Sequence, residues 1–457
     1  MFQTYTPTEG DQRRHRPKSR AYMSSDLSHF AERPVALSAD TGIPFLVGLF
    51  FSFRLFVMLL SVRLFGTDPQ TGSAVSLTLN YLLLIVVGLL YLGASKRTLG
   101  SMLRLPSIRW VMLYLVFSGC SLLWTVAVSV PAAIAYWCGM VADVAIVVVL
   151  FRAEPTMESI HAVIKGYVWG ACAVAVIAWL LPAQSDLRLG DEDLLGANQI
   201  GYLCAFALFF AQYLIQQKAG KWGVAAVVLG VTLLRSLSKT TIAAFLLAEA
   251  FLLMRDKSMS RKTKLLLVSA TALIVVAFSS LLLSYFDIYS SAGNSPETLT
   301  GRLGIWALIL DEAITQPWIG HGFHSVWKVI PPFGEFEARH AHNELLQQFY
   351  AYGAFGICIM VGLYASFYRQ IRRLATGSLR TFCFALLLFV LIRGLADTEV
   401  FDFSFPLWAI VMFSLLLELE GATAGKSAGT LPLEHSELPH PPYGIQPALA
   451  IDLLPEH

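Results

Sequence analysis

The chain of 457 residues carries 33 Lys and Arg against 31 Asp and Glu, a formal net charge of only +2. Apolar residues make up 56% and charged residues 14%, with a mean hydropathy of +0.62, whereas soluble domains hold about 25% charged residues. A soluble globule lacks the polar surface to cover so much apolar area, and so small a net charge gives no field for nucleic acid. These values exclude a soluble globule, a disulfide-built secreted domain, a disordered regulator and a nucleic-acid-binding protein. They leave an all-α polytopic membrane protein.

The first 40 residues are polar, with Arg13, Arg14, Arg16, Lys18 and Arg20 clustered. They lack the short apolar run and small-residue cleavage site of a signal peptide and predict a disordered cytoplasmic tail. Twelve apolar segments follow, near 43–65, 74–94, 108–128, 130–151, 160–181, 197–216, 222–235, 240–254, 264–286, 345–366, 380–396 and 404–420. Most approach the ~20 residues that cross a hydrocarbon core of ~30 Å. The seventh and eighth are short, so they read either as a re-entrant pair or as two thin tilted spans. Residues 421–457 contain six prolines and predict a second disordered tail. The six cysteines all sit in apolar runs without CxxC spacing, as small buried hydrophobes do, and predict neither a disulfide nor a metal site.

Loop charge sets the expected orientation. Loops 95–107, 217–221, 255–263 and 367–379 are rich in Lys and Arg, while 66–73, 129 and 397–403 have none. The alternation predicts both termini in the cytoplasm and puts 182–196, 236–239 and 287–344 on the outer side. Positive charge is scarce there, yet Arg188, Arg235, Lys239, Arg302, Lys328 and Arg339 gather in those three loops or at their borders. They read either as ordinary interfacial charge or as an outward-facing anion site, since guanidinium forks suit phosphate oxygens.

The loop 287–344 is the longest. Leu303, Trp306, Leu310 and Ile314 recur at helical spacing and predict an amphipathic helix over 302–316, lying along the membrane and ended by Pro317. Arg302 falls in its first turn, where backbone N–H groups favour anions. Gly320 and Gly322 permit a tight turn. Four histidines, His321, His324, His340 and His342, fall within 22 residues. They invite a zinc reading, although the sequence lacks a fixed ligand pattern. They equally suit a general base, which needs only one neutral imidazole held by a second group. Within the apolar segments, Arg54, Asp143, Glu249, Arg393 and Asp397 are costly in lipid. Arg393 and Asp397, spaced i,i+4, read as a structural pair; Asp143 has no evident partner.

Gly301-Arg302, Trp306, Pro317, Gly320-His321-Gly322, His342-Asn343-Glu344 and Gly353-Ala-Phe-Gly356 together resemble the signature of the O-antigen ligase and Wzy-type polysaccharide polymerase superfamily. Arg188-Leu-Gly190 with Gly196-Ala-Asn198-Gln-Ile-Gly201 is similar to that family's arginine–asparagine segment. Ser236-Leu-Ser238-Lys239-Thr240 resembles its basic turn in the form seen in exopolysaccharide-type members. The resemblance covers about 180–360.

The resemblance implies an inverting, metal-independent glycosyltransferase of the GT-C kind, with no cofactor. Its implied donor is an undecaprenyl-diphosphate-linked oligosaccharide, and its other partners are a glycan acceptor, membrane lipids, and polysaccharide export and chain-length proteins. The implied location is the bacterial inner membrane, with chemistry on the periplasmic face in a catalytic domain over 41–420. By position, Arg188 and Arg302 would hold the diphosphate and His342 would take the acceptor proton. Asn343 would orient it or the sugar, with Lys239, His340 and Arg339 as further substrate contacts. The insert Asp191-Glu192-Asp193 departs from the simplest pattern and would either repel diphosphate or bind acceptor sugar. Polymerisation of lipid-linked repeats is the first reading. Ligation of glycan to lipid A core or protein is the second, and a transporter or flippase the rival of another class, with no repeat between 43–235 and 240–420 to support it.

Overall fold

The structure is a computed structural model. It describes residues 39–94, 96–182, 188–191, 194–217, 221–255, 260–262, 264–266, 269, 299–330, 340–398 and 403–429. The ninth apolar segment, Arg339, Glu192, Asp193, residues 1–38 and residues 430–457 lie outside them or nearly so.

The described helices are α1 (Ala39–Phe65), α2 (Pro69–Tyr91), α3 (Leu99–Met102), α4 (Pro106–Ser121), α5 (Val130–Ala153), α6 (Met157–Leu180) and α7 (Ala197–Gln216). After them come α8 (Trp222–Arg235), α9 (Lys239–Arg255), α10 (Leu299–Ala313), α11 (Val326–Val329), α12 (Glu344–Arg373), α13 (Ser378–Gly394) and α14 (Leu407–Gly429). Eleven of the twelve apolar segments coincide with one of these helices. Six of them, α1, α2, α5, α6, α7 and α12, are long and apolar enough to cross a membrane. A helix bonds its own backbone, which is why this element suits hydrocarbon. The chain is a multi-pass, all-α membrane protein.

Helix ends follow local chemistry. Asp68, Ser129 and Thr156 accept hydrogen bonds from the first-turn amides of α2, α5 and α6. α8 and α9 have 14 and 17 residues, about 21 and 25 Å at 1.5 Å per residue. They are joined by the turn 236–238, in which Leu237 takes a positive φ of 55°. α14 continues to Gly429, past the expected boundary at 420, because no proline interrupts it before Pro432.

Packing starts from small residues. A Cβ at Gly48 of α1 would lie 1.9 Å from the Val163 carbonyl oxygen of α6, and one at Gly166 would lie 1.9 Å from the Phe45 oxygen. The two backbones therefore touch, the close approach that glycine allows between membrane helices. α7 is the central helix, with Phe206 and Phe210 buried among Tyr167, Phe405 and Phe413. α2 packs on α1 and α5, α12 on α4 and α10, and α13 on α9.

The long loop is built onto one end of this bundle. At Gly353 the backbone of α12 leaves helical geometry (φ 60°, ψ −155°). That kink frees the carbonyls of Tyr350 and Ala351, which accept the amides of His321 and Gly322 at 2.9 and 2.8 Å. Ala354 and Phe355 in turn donate to Pro317 and Trp318. Gly320, Gly322 and Gly353 all have positive φ, and a Cβ on each would fall within 2.5 Å of opposing backbone. Gly320 and Gly353 thus serve one backbone-to-backbone joint between loop and α12, and Gly322 packs the loop on the backbone of Ser121 and Thr125.

α10 forms where the spacing predicts a helix, and Leu303, Leu310 and Ile314 of the predicted stripe are exposed on the outside of the bundle. The buried stripe is Ile305, Ile309 and Ala313, which packs with Val326, Ile330, Ala341 and Tyr350. Both faces are apolar, so periodicity could not say which one the bundle takes.

Gly353→Ala and Gly320→Ala should each lower stability by about 1–3 kcal/mol from the strained backbone alone, more where the clash does not relax. Gly304→Ala, where a Cβ meets nothing, should be neutral or slightly stabilising. Thermal unfolding of the detergent-solubilised variants compares them.

Candidate active site

Residues 340–344 join the end of the long loop to α12, and their conformation is held from several sides. Trp306 of α10 donates its indole N–H to the Ala341 carbonyl at 2.9 Å. Gln347 reaches back from α12 and accepts the Ala341 amide at 2.9 Å. Asn343 caps α12, its side-chain oxygen accepting the Leu346 amide at 3.0 Å while its amide nitrogen donates to the Leu395 carbonyl at 2.8 Å. That places α12 against the end of α13. His342 between these anchors has a positive φ of 49°, a costly conformation for a side-chain-bearing residue.

This strained turn points the His342 ring at Asp397. Nδ1 of His342 lies 3.1 Å from Oδ1 of Asp397, and both residues are buried. Oδ2 of Asp397 accepts a guanidinium N–H of Arg393 at 3.4 Å, and the Thr398 amide donates to Oδ1 at 3.0 Å. Arg393 is 2% exposed and lies over the Tyr202 ring, 4.1 Å from its centroid. Burial by itself would raise the Asp397 pKa. The Arg393 guanidinium and the His342 hydrogen bond outweigh it and hold the carboxyl well below the usual carboxylate range. An ionised carboxylate only accepts, so Nδ1 of His342 carries the proton and Nε2 is the basic nitrogen.

His340 sits against His342, with ring centroids 4.0 Å apart. Its Nδ1 accepts the His342 amide at 3.3 Å. Burial, then His342, then Arg393 and Arg302 push its pKa well below the ordinary value, against the pull of Asp397. It is neutral at neutral pH.

Arg302 reaches the same place from α10. Its guanidinium donates to the Ala396 carbonyl, next to Asp397, and to Thr240 of α9 at 3.4 Å. Its buried Nε makes no hydrogen bond among the described residues. Arg188 is also buried and donates to the Ser236 carbonyl at 3.4 Å and to Asn198 at 2.8 Å. Close packing of Gly201 against Ser236 and Ser238 brings these partners together. Arg188 and Arg302 therefore approach opposite ends of the short segment 236–240, the turn and the first residues of α9, and Lys239 opens α9 between them with an exposed side chain. Arg339 lies outside the described residues.

Three readings of polar residues change. Arg393 and Asp397 do form a pair, but the pair extends to His342 and so belongs to the site. The i,i+4 spacing was the visible signal; the histidine 55 residues away was not. Asp143 does have partners, bonding with Arg54 and accepting the Asn80 amide at 2.7 Å. Asp191 of the acidic insert bonds with Arg63 and accepts the Leu194 amide, so its charge is balanced locally. Glu249 is held by Gln212 at 2.8 Å.

The four histidines divide. His321 stacks on Tyr350, with centroids 4.4 Å apart, and His324 stacks on Tyr136 at 5.4 Å. His340, His342 and Asp397 offer donor atoms within 4.8 Å of one another, the single candidate metal group among the described residues. Asp397 there is already occupied by Arg393, His342 and the Thr398 amide, and the two guanidinium groups near it disfavour a cation.

An oriented imidazole, a buried carboxylate and arginines thus gather at one end of a polytopic, all-α membrane protein. An O-antigen ligase family model matches residues 224–361. The exopolysaccharide production protein ExoQ of Rhizobium meliloti (strain 1021) is 24% identical over 352 residues, covering 70% of this chain and 77% of that relative. These matches support the O-antigen ligase and Wzy-type family that the motifs resemble. The matched segment contains Lys239, Arg302, His340, His342 and Asn343; Arg188, Arg393 and Asp397 lie beyond it.

Asp397→Ala should destabilise the protein by about 3–5 kcal/mol, because it leaves the buried Arg393 without its carboxylate. Thermal unfolding with an Arg393→Met, Asp397→Ala double variant checks the cause, since removing both charges should recover most of the loss.

Proposed function

We propose that the chain is an inverting membrane glycosyltransferase that joins polyprenyl-diphosphate-linked oligosaccharide repeats into exopolysaccharide or O-antigen polymer. It works at the periplasmic face of the bacterial inner membrane, with both termini cytoplasmic and 41–420 forming the catalytic domain. The observation that carries this reading is the His342–Asp397–Arg393 chain beside Arg302.

Nε2 of His342 accepts the proton of an acceptor hydroxyl as its oxygen attacks the anomeric carbon. The bond from that carbon to the diphosphate breaks, and the leaving group departs with the electron pair. Asp397 keeps Nδ1 protonated and stabilises the imidazolium that forms. Arg302, whose Nε has no protein acceptor among the described residues, offers a donor to the leaving diphosphate in a water-poor site, where such charge stabilisation is large. Arg188 and Lys239 add positive charge beside the segment 236–240. Asn343 acts by positioning, since both ends of its amide are spent on Leu346 and Leu395. Direct displacement inverts the anomeric centre and needs no metal. Ligation to lipid A core or protein uses the same chemistry with another acceptor. The similarity to an exopolysaccharide production protein favours polymerisation.

The test is glycan transfer by purified protein from a lipid-diphosphate oligosaccharide of the host, with EDTA present. His342→Ala should lower the rate by about 10²–10⁴-fold, the usual share of general-base catalysis, and Arg302→Ala should lower it comparably. Full activity in both variants overturns the site. Loss in EDTA with recovery on adding zinc would assign His340, His342 and Asp397 to a metal instead. Deletion in the host separates the two acceptors. A polymerase deletion leaves single repeats on the carrier, and a ligase deletion leaves long chains on it, resolved by size.

A further inference from the structure

A second polar feature lies outside this site. A cavity of about 360 Å³ opens between α1, α2 and α5. Arg54, Asn80 and Asp143 line it, each near the middle of its helix. Arg54 bonds with Asp143, and Asn80 donates to the other Asp143 oxygen at 2.7 Å and to the Gly139 carbonyl at 3.1 Å. Oδ1 of Asn80, 2% exposed, accepts no hydrogen bond among the described residues. Ionised groups at mid-membrane depth are expensive and mark a function by default.

The walls mix aliphatic side chains, Leu55, Met58, Leu77 and Met140 among them, with aromatic ones. Tyr136, Tyr167, Tyr202 and Trp408 come from the bundle, and His324 and Trp327 close the cavity from the long loop. His324 stacks on Tyr136 with an interplanar angle of 6° and holds a positive φ of 63°. Such strain in a side-chain-bearing residue is kept where the surroundings enforce it.

Two wall residues are shared with the candidate active site. Tyr202 carries Arg393 over its ring, and Gln347 holds the Ala341 amide next to His342. The cavity is therefore one side chain away from the His342 turn.

We propose that this cavity binds the sugar portion of a lipid-linked oligosaccharide and positions it for the chemistry at His342. A pyranose ring presents C–H bonds on its faces and hydroxyls around its edge. Aromatic rings with polar tips take the first, and the amide, carboxylate and guanidinium of Asn80, Asp143 and Arg54 take the second. The volume lies in the range of small-ligand sites. A lipid tail is the wrong occupant, because hydrocarbon against the Arg54–Asp143 pair would strip it of polar contacts. The inference rests on the transferase reading for the identity of the glycan, but its test does not depend on turnover.

The test titrates full-length protein in detergent with the host's repeat oligosaccharide after mild-acid release from its carrier, read by calorimetry and by tryptophan fluorescence. Wild type should bind it. Trp327→Ala, on the half-buried roof, and Asn80→Ala should each weaken binding about tenfold or more, equal to about 1.4 kcal/mol. Leu123→Ala, at an exposed position, should not. Unchanged affinity in Trp327→Ala and Asn80→Ala overturns the proposal, as does failure of wild type to bind the free oligosaccharide. Equal competition by sugar-free polyprenyl phosphate overturns it too, making the cavity a lipid site. In the transfer assay, a raised KM with kcat kept in Trp327→Ala assigns the cavity to whichever substrate's KM rises, acceptor or donor. Failure of the transferase reading shows separately, as oligosaccharide binding without any transfer.

Discussion

Asp397 is a carboxylate with almost no access to water, and the surrounding structure is arranged to keep it charged. Removing an ion from water costs several kcal/mol even after relaxation. The charge persists because Arg393, His342 and the Thr398 amide converge on it. Arg393 is in turn fixed over Tyr202. Asn343 ties α12 to the end of α13 and so sets the distance between the histidine and the carboxylate. The histidine's tautomer and direction follow from the carboxylate, and α12 and α13 meet at that end.

A second constraint holds the long loop to the bundle. The carbonyls that accept His321 and Gly322 are available only because α12 breaks its helical ladder at Gly353. The glycines of the loop permit the approach, and the kink supplies the acceptors. α10 is then pressed onto Ala341 and Tyr350 by its buried stripe, and this carries Arg302 to the Ala396 carbonyl. Loop, kink and arginine form one mechanical unit.

Polar pairs within the bundle serve two ends. Glu249 with Gln212, away from the His342 turn, satisfies a polar group and does nothing further that the described residues reveal. Arg54 with Asp143 lines a cavity that shares Tyr202 and Gln347 with the candidate site. Burial of charge alone does not distinguish these cases. The space beside the pair does.

Much of this was legible in the sequence because hydropathy acts locally. A run of apolar residues must bond its own backbone in lipid, so α1, α5, α7 and α8 lie where their apolar runs lie. Arg188, Arg302 and His342 stood out because charge and imidazole are rare among such residues, and because their flanking motifs resemble a family. The sequence by itself therefore determined the class, eleven of the apolar helical segments and the residue types gathered at the candidate site. Only the tertiary structure decided the pairings, since Asp143 meets Arg54 across 89 residues and His342 meets Asp397 across 55. It also decided which apolar face of α10 is buried, because both faces satisfy the same period and only the neighbouring helices choose between them.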